Sequence, residues 1–382
     1  MAKFLGWLLL LLPMTAISAN APLKGEFVTQ DLSVDHVSTV PANAGQKVAL
    51  FVRQKVLTVR KDRAAPVVLF VHGATVPGVP DFDLDYKDYN WMAHLARAGF
   101  NTYTMDLTGY GGSPKPMMDD PCNVDPKQQD IIMGRPLQGG CTPNYPHQLN
   151  TIRDDWKEID AVVEHLRRVN RVRRIHIIGW SAGGPRVGGY IAQHPDKIER
   201  AMLYAPSPTI AGPIPDKPAA GAPMSLQTRD DFELKRWDPD VRCVGQVEPG
   251  ARDAVWAEIM KWDKLGATWG PEGIGVMRGR IATGFGWTKD MAVKVTTPTL
   301  IVVGEYDRLK ERREVFEQIS SKEKVFIDVA CASHFMVWEK QRRVLHETSV
   351  SWLKNGNVKD VSRGEFRVTE DGTYNRVGAA KK

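Results

Sequence analysis

Short and nearly continuous apolar runs recur along the chain and alternate with segments whose apolar residues follow a helical period. The six clearest runs are Val67–Val71, Thr102–Leu107, Ile175–Ile178, Ala201–Tyr204, Leu300–Val303 and Val325–Val329. Runs of this kind are typical of strands that are covered on both faces. Their alternation with helical segments predicts an α/β fold with a mostly parallel central sheet flanked by helices, in which ligands bind beyond the carboxyl ends of the strands.

Two segments between these runs have clear helix signals. Trp91–Ala98 is followed by Gly99, which suits the left-handed position just after a helix end. Farther along, apolar residues recur at steps of four and three and form one stripe, made of Ile152, Trp156, Ile159, Val163 and Leu166. Thr151 and Asp154 resemble a capping pair at the start of this second helix.

Both ends of the region with apolar runs favour antiparallel structure. Near the start, Phe27–Val40 and Lys47–Val59 alternate apolar and polar residues on either side of a turn-like stretch at 41–45. Near the end, Glu365–Asn375 alternates in the same way around Asp371-Gly372, which predicts a hairpin.

Two stretches interrupt the alternation. Ser113–Gln148 is rich in Pro, Gly and Asp and follows a strand end. Ser207–Val295 opens with a proline-rich linker, lacks a strong strand run and contains five of the 11 tryptophans, so we expect a mainly helical cap inserted into the sheet domain. The predicted organisation is a signal peptide at 1–21, a core in two parts at 22–206 and 296–356, a cap at 207–295 and a tail at 357–382.

The first residues have the composition of a targeting signal. Lys3 precedes the apolar run Phe4–Pro13, and small residues follow between Ala16 and Ala21. A positive tip, a short apolar stretch and an A-x-A-like end are typical of a secretory signal peptide. The alternative is a retained membrane anchor, but a spanning helix needs ~20 apolar residues and this run ends at a proline. We therefore expect cleavage, no stable membrane insertion and an exported protein, either periplasmic in a bacterium or secreted.

Composition narrows the classes of function. The 382 residues include 42% hydrophobic and 25% charged residues, which is ordinary for a globular protein and argues against disorder. The formal net charge of +6 is small for this length and is not gathered into one block, so it does not indicate nucleic-acid binding.

Four cysteines in an exported chain permit disulfides. Cys122 and Cys141 lie in one insertion, and we expect them to pair with each other. Cys243 and Cys331 are equally compatible with small buried apolar residues. No CxxC or histidine-rich spacing indicates a metal site.

The strongest chemical signal is Gly179-Trp180-Ser181-Ala182-Gly183, which lies between a predicted strand at 174–178 and a predicted helix at 184–193. A sharp strand–turn–helix corner strains the backbone of the serine, and glycine on either side removes Cβ clashes. The corner lifts the hydroxyl above the sheet and puts the N–H of Ala182 where an oxyanion would form. The alternative is a glycine-rich turn with a bystander serine, but the flanking strand and helix favour a nucleophile.

A serine nucleophile needs a base, and the base needs an orienting acid. Asp307 follows the fifth of the six apolar runs and His334 follows the sixth. Because the carboxyl ends of parallel strands meet at one edge of a sheet, we expect Ser181, Asp307 and His334 to converge there. Glu305 is the rival acid, since it lies two residues before Asp307.

Together these features resemble the α/β-hydrolase fold superfamily over about residues 25–356, in the form of an exported, esterase-like serine hydrolase with a helical cap. Val71-His72-Gly73-Ala74 resembles that family's oxyanion loop, and the segment from Asp106 to Ser113 resembles its D-x-x-G-x-G-x-S turn. The resemblance implies that Ala74 supplies a second oxyanion N–H beside Ala182. It also implies that His72 fixes the loop and that Asp106 is structural.

The sequence thus predicts hydrolysis of a carboxylic ester through an acyl-enzyme, with a small-molecule substrate, no nucleic acid and no metal or organic cofactor. Trp180, beside the serine, and Trp338, after the histidine, favour contacts to an apolar ester, although tryptophans that only pack the cap explain the pattern as well. Two alternatives stay open. One is an amidase or aminopeptidase with the same triad, whose cap acids would bind an amine, and the other is a non-catalytic binding protein.

Overall fold

The computed structural model describes residues 23–58, 65–284, 286–309 and 312–378. Over these residues the chain forms one ten-stranded sheet, two two-stranded sheets and eight α-helices. The predicted signal peptide at 1–21 lies outside the described residues. Within the described ranges, no helix has the length and apolar character needed to cross a bilayer.

The strands and helices have the following bounds. The strands are β1 (Phe27–Val37), β2 (Lys47–Leu57), β3 (Val67–Val71), β4 (Asn101–Met105), β5 (Asn150–Thr151), β6 (Ile175–Trp180), β7 (Ile198–Tyr204), β8 (Met224–Gln227), β9 (Met277–Arg280), β10 (Ala282–Thr283), β11 (Thr299–Gly304), β12 (Lys324–Val329), β13 (Arg363–Val368) and β14 (Tyr374–Arg376). The α-helices are α1 (Gly78–Phe82), α2 (Trp91–Arg97), α3 (Ile152–Asn170), α4 (Gly183–Gln193), α5 (Ala251–Trp262), α6 (Lys289–Ala292), α7 (Arg312–Gln318) and α8 (Arg342–Asn355).

The large sheet has the strand order β1-β2-β4-β3-β6-β7-β11-β12-β13-β14. The seven strands from β4 to β13 run parallel, and β1, β2 and β14 at the margins pair antiparallel. The six predicted apolar runs are strands β3, β4, β6, β7, β11 and β12. Every residue of β3 is buried, as coverage on both faces requires. The predicted α/β-hydrolase fold with a mostly parallel sheet is confirmed.

Helices cover both faces of the sheet. On one face, α2 and α8 contribute Trp91 and Trp352 to the larger apolar layer. On the other face, α3 contributes the predicted stripe, from Ile152 to Leu166. The predicted capping pair begins α3, because the N–H of Thr151 donates to Asp154 Oδ2 at 2.9 Å.

The polar end of the chain completes the sheet. β13 pairs parallel with β12, and β13 and β14 form the predicted antiparallel hairpin. Residues 363–376, within the predicted tail, are therefore part of the central sheet.

The insertion, by which we mean residues 207–295, contains more than helices. Besides α5 and α6 it has a short π-helical stretch (Asp231–Trp237) and an antiparallel pair formed by β8 and β9. A third apolar cluster packs Met118 and Val124, from the earlier proline- and glycine-rich stretch, against Met224 and Trp269 of the insertion. The two stretches that interrupt the strand–helix alternation thus form one layer. The domain boundaries proposed from the sequence stay a prediction.

Candidate active site

The serine corner has the strained geometry that its glycines make possible. Ser181 lies between β6 and α4 with a φ of 55°, and its N–H donates to the carbonyl of Tyr204 at 2.9 Å. A Cβ on Gly179 would lie 2.3 Å from the carbonyl oxygen of Gly183, and a Cβ on Gly183 would lie 2.4 Å from that of Val71. Only glycine fits at either position, so the sequence forces this corner and leaves the serine half-buried at its tip.

The two late loops bring an imidazole and a carboxylate to the same sheet edge. The Nε2 atom of His334 lies 2.9 Å from Ser181 Oγ, and the Nδ1 atom lies 3.1 Å from Asp307 Oδ1. The side chains of His334 and Asp307 are 6% and 0% exposed, so water competes little for the bond between them. A hydroxyl, an imidazole and a carboxylate that are hydrogen-bonded in this order can pass the serine proton to the imidazole ring.

Glu305, the rival acid, pairs with Arg367. Glu305 Oε1 lies 2.6 Å from Arg367 on β13, and its Oε2 accepts the N–H of Cys331 at 3.1 Å. Of the two carboxylates at this strand end, Asp307 is the one in hydrogen-bonding contact with His334.

The predicted oxyanion loop passes directly over the serine. A Cβ on Gly73 would lie 3.3 Å from Ser181 Cβ and 3.9 Å from Ser181 Oγ, so the loop runs alongside the serine side chain. Ala74 follows, half-buried, and Ala182 follows the serine, buried. Among the described residues, neither alanine N–H has a hydrogen-bond acceptor. Both N–H groups are thus free to donate a hydrogen bond, and their role as oxyanion donors stays a prediction.

Arg186, a buried arginine that the sequence pattern did not single out, holds the predicted oxyanion loop. Its Nη1 donates to the carbonyls of His72 and Gly73 at 2.8 and 2.9 Å, and its Nε donates to Asp155 Oδ2 at 2.8 Å. Arg280 of β9 reaches the same carboxylate, which ties the insertion to α3. A signal for Arg186 was present, since it is a lone charge among glycines in an otherwise apolar helical segment.

His72 and Asp106 support the loop as the resemblance implies. The Nδ1 of His72 donates to the Gly73 carbonyl at 2.7 Å, and its Nε2 accepts the N–H of Leu107 at 3.2 Å. Burial and the charge of Arg186 hold the pKa of His72 well below its ordinary value, so the ring is neutral. Asp106 accepts two backbone N–H groups, from Gly78 and Gly112.

The His334 loop is held by groups beneath and beside it. Trp180 Nε1 and the hydroxyl of Tyr204 both donate to the His334 carbonyl, at 3.1 and 2.7 Å. Burial raises the pKa of Tyr204 well above its ordinary value, which keeps the phenol protonated as a donor. Trp338 Nε1 donates to the carbonyl of Pro80 at 3.1 Å. Trp180 is 3% exposed and Trp338 0%, so both support the loop; their predicted contact with substrate stays a prediction.

Glu339 joins the His334 loop to the insertion. This fully buried carboxylate accepts the N–H of Ser333 at 2.9 Å, Trp237 Nε1 at 2.9 Å and Gln246 Nε2 at 3.1 Å. Burial raises its pKa, against the hydrogen bonds that lower it. No local pattern in the sequence indicates this residue, because its partners on the insertion are about 100 positions away.

Two disulfides cross-link the region around the site. Cys122 pairs with Cys141, as expected. Cys243 of the insertion pairs with Cys331, three residues before His334. The described residues contain no cluster of three or more His, Cys, Asp or Glu side chains able to hold a metal ion.

Known proteins match this chain in sequence family and in fold. A protein-family model described as the alpha/beta hydrolase family matches residues 68–347. A search of curated proteins returns no match. Carboxylesterase CesB from Bacillus subtilis is similar in structure, with a TM-score of 0.51 and 14% identity over 86% of this chain and 93% of that chain. A thermophilic esterase from Thermogutta terrifontis has a TM-score of 0.50 and 14% identity over 86% of this chain and all of that chain. At these identities the structural likeness shows the fold.

Proposed function

The chain belongs to the alpha/beta hydrolase family, and on that basis we propose that it is a serine hydrolase that cleaves a carboxylic ester through an acyl-enzyme. In this proposal Ser181 is the nucleophile, His334 the general base and acid, and Asp307 the orienting carboxylate. The observation that carries it is the pair of contacts at His334, 2.9 Å to Ser181 Oγ and 3.1 Å to Asp307 Oδ1.

The proposed reaction uses groups of the chain and water. Ser181 Oγ attacks the substrate carbonyl while His334 Nε2 accepts the hydroxyl proton, and Asp307 stabilises the imidazolium through Nδ1–H. The N–H groups of Ala182 and Ala74 donate to the tetrahedral anion, each worth ~3 kcal/mol in comparable sites. His334 then gives its proton to the leaving alcohol. In the second half, water attacks the acyl group by the same proton path, which regenerates Ser181 and releases a carboxylic acid.

The contacts of the insertion argue against an aminopeptidase. That reaction needs a free carboxylate to bind the substrate's amine, and the insertion has five candidate acids: Asp230, Asp231, Glu233, Glu258 and Asp263. Four of them lie within 2.5–3.3 Å of a basic side chain: Asp231, Glu233, Glu258 and Asp263. The fifth, Asp230, is exposed, which is typical of a solvated surface acid. A non-catalytic binding protein is disfavoured in turn by the aligned hydroxyl, imidazole and carboxylate.

An exported location is part of the proposal. Two disulfides favour an oxidising compartment, since thiols stay reduced in most cytosols. The composition of the first 21 residues, with one lysine before an apolar run, adds the expected export signal.

The test is turnover of p-nitrophenyl butyrate by purified mature protein and by two serine variants. Ser181→Ala removes the nucleophile, so we expect kcat to fall by at least about 10⁴-fold while thermal unfolding is unchanged. Ser207→Ala is the matched control, because Ser207 lies at the neighbouring strand end and its N–H donates to the Ser181 carbonyl. We expect the control to keep full activity. Turnover retained by Ser181→Ala would overturn the proposal.

A further inference from the structure

One arginine of the insertion lies against the predicted oxyanion loop. Arg236, in the π-helical stretch, has its Nη1 3.5 Å from Oγ1 of Thr75, the residue directly after Ala74. The same atom donates to Gln227 Oε1 at 2.9 Å, so two neutral oxygens orient the guanidinium. Consecutive Cα atoms are about 3.8 Å apart, so this contact places Arg236 near Ala74, one of the two proposed oxyanion donors.

Arg236 differs from its charged neighbours in having no acidic partner. Three basic residues around it each pair with a carboxylate: Arg229, Lys235 and Arg252. In the ranges that the structure describes, no Asp or Glu lies within ion-pair distance of Arg236. Burial and the charge of Arg308 lower the pKa of Arg236 to about 10, so the group stays protonated at neutral pH.

Arg308 adds to the positive charge beside the site. It follows Asp307, its Nη2 donates to the backbone carbonyl of Arg236, and its guanidinium carbon lies 5.3 Å from the ring centroid of Phe335. Its acidic partner among the described residues is Asp240, at 3.3 Å. Arg308 therefore has an ion-pair partner, and the uncompensated charge beside the site is that of Arg236.

We propose that Arg236 binds a carboxylate on the acyl part of the substrate, so that the ester cleaved at Ser181 is a monoester of a short dicarboxylic acid. This inference rests on the proposed function. A partly buried guanidinium without a counter-ion is costly, and a carboxylate offers it two parallel charge-assisted hydrogen bonds. Because His334 protonates the leaving alcohol, the leaving group lies on the His334 side. Arg236 contacts Thr75, next to Ala74, so the proposal places the acyl chain on the side of the predicted oxyanion loop.

The experiment compares two esters of equal chain length, p-nitrophenyl hydrogen glutarate and p-nitrophenyl pentanoate, which differ by one terminal carboxylate. We expect the wild-type protein to prefer the glutarate ester in kcat/KM, and added NaCl to reduce that preference. Arg236→Met should lower kcat/KM for the glutarate ester by about 10- to 100-fold and leave the pentanoate ester within about twofold. Arg236→Lys, which keeps the charge and loses the bidentate geometry, should retain part of the preference.

The matched control is Lys235→Met, which removes one positive charge from the same stretch at a side chain that is 76% exposed. We expect it to leave the ratio of the two esters unchanged. Equal kcat/KM for the two esters in the wild type, or an equal loss for both in Arg236→Met, would overturn the inference. The proposed function would still stand, because both esters would be hydrolysed.

A second measurement decides the case in which neither ester is turned over. Labelling of Ser181 by a fluorophosphonate probe would show that the nucleophile is active, and free glutarate should slow that labelling in the wild type but not in Arg236→Met. Labelling that glutarate does not slow would overturn the inference alone. A protein that neither hydrolyses the esters nor labels would overturn the proposed function, and with it the inference.

Discussion

The sheet edge and the insertion above it contribute to the candidate site in different ways. The sheet edge holds every group proposed to take part in the reaction, each in a segment that follows a strand: Ala74, Ser181, Ala182, Asp307 and His334. The insertion contributes none of these, but its Trp237, Gln246 and Cys243 hold the His334 loop, and its Arg236 lies against the oxyanion loop. In the proposed function, the sheet edge determines which reaction occurs, while the insertion determines how well the groups are held and which ester is preferred.

The largest effect is expected at the edge. Asp307→Asn should lower kcat about 10⁴-fold on every ester, because it removes the charge that orients and stabilises the His334 ring. Glu305→Gln is the matched control, two residues away at the same strand end, and we expect kcat to stay within about twofold. Steady-state kinetics on a series of p-nitrophenyl esters checks both. A comparable loss in the control would place the orienting acid at 305 and break the assignment.

The next largest effects are expected when each of the two disulfides is removed. Cys243–Cys331 closes 88 residues and Cys122–Cys141 closes 19, so replacing each pair by serine should lower the free energy of unfolding by about 4–5 and about 3 kcal/mol respectively. Only the first cross-link joins the insertion to the His334 loop, so its loss should also lower kcat. Urea unfolding with kinetics of both double variants measures this. A fall in kcat confined to the Cys122/Cys141 variant would contradict the comparison.

A buried carboxyl where the insertion meets the core predicts pH-dependent stability. Burial next to Asp155 raises the pKa of Glu158 from 4.5 to about 7, despite the charge of Arg280 on β9. Between these two pH values the folded chain holds a proton that the unfolded chain has released, so the free energy of unfolding falls as pH rises from 4.5 to 7. The fall is at most ~3 kcal/mol.

Glu158→Gln removes this titration. We expect the variant to gain stability over the wild type between pH 4.5 and 7 and to keep that gain at pH 8. Urea unfolding of both proteins across this range measures the difference. A difference that does not change with pH would show that Glu158 ionises near its ordinary pKa in the folded protein.

The smallest predicted effect concerns Glu339, which links the insertion to the His334 loop at the sheet edge. Glu339→Gln keeps the size of the side chain but replaces a charged acceptor by a neutral one, so the bonds from Ser333, Trp237 and Gln246 weaken. We expect kcat to fall about tenfold through less precise placement of His334. KM should change little, since Glu339 is buried away from any substrate. An unchanged kcat with lower stability would show that Glu339 serves the fold alone.

The features that could be predicted from the sequence lie at the sheet edge, and those that could not lie where the insertion packs on it. The strands and the serine corner are encoded over a few neighbouring residues, and a parallel sheet brings the ends of its strands to one edge. Ser181, Asp307 and His334 can therefore be proposed from local sequence patterns, and the structure brings their side chains into contact. Glu339 and Arg236 cannot, since their partners are set by how the insertion packs, about 100 to 160 positions away. The Cys243–Cys331 pair could not be predicted because each of these cysteines is equally compatible with a small buried apolar residue. Strands β8 and β9 have four residues each and are too short to give a pattern.

The central claim is that Ser181 becomes acylated with His334 as its base. Intact-mass and peptide mass spectrometry after treatment with a fluorophosphonate test this most directly, with Ser181→Ala and His334→Ala in parallel. We predict one adduct per chain, located on Ser181, absent in Ser181→Ala and formed far more slowly in His334→Ala. An adduct on another residue, or equally fast labelling without the imidazole, would contradict the account.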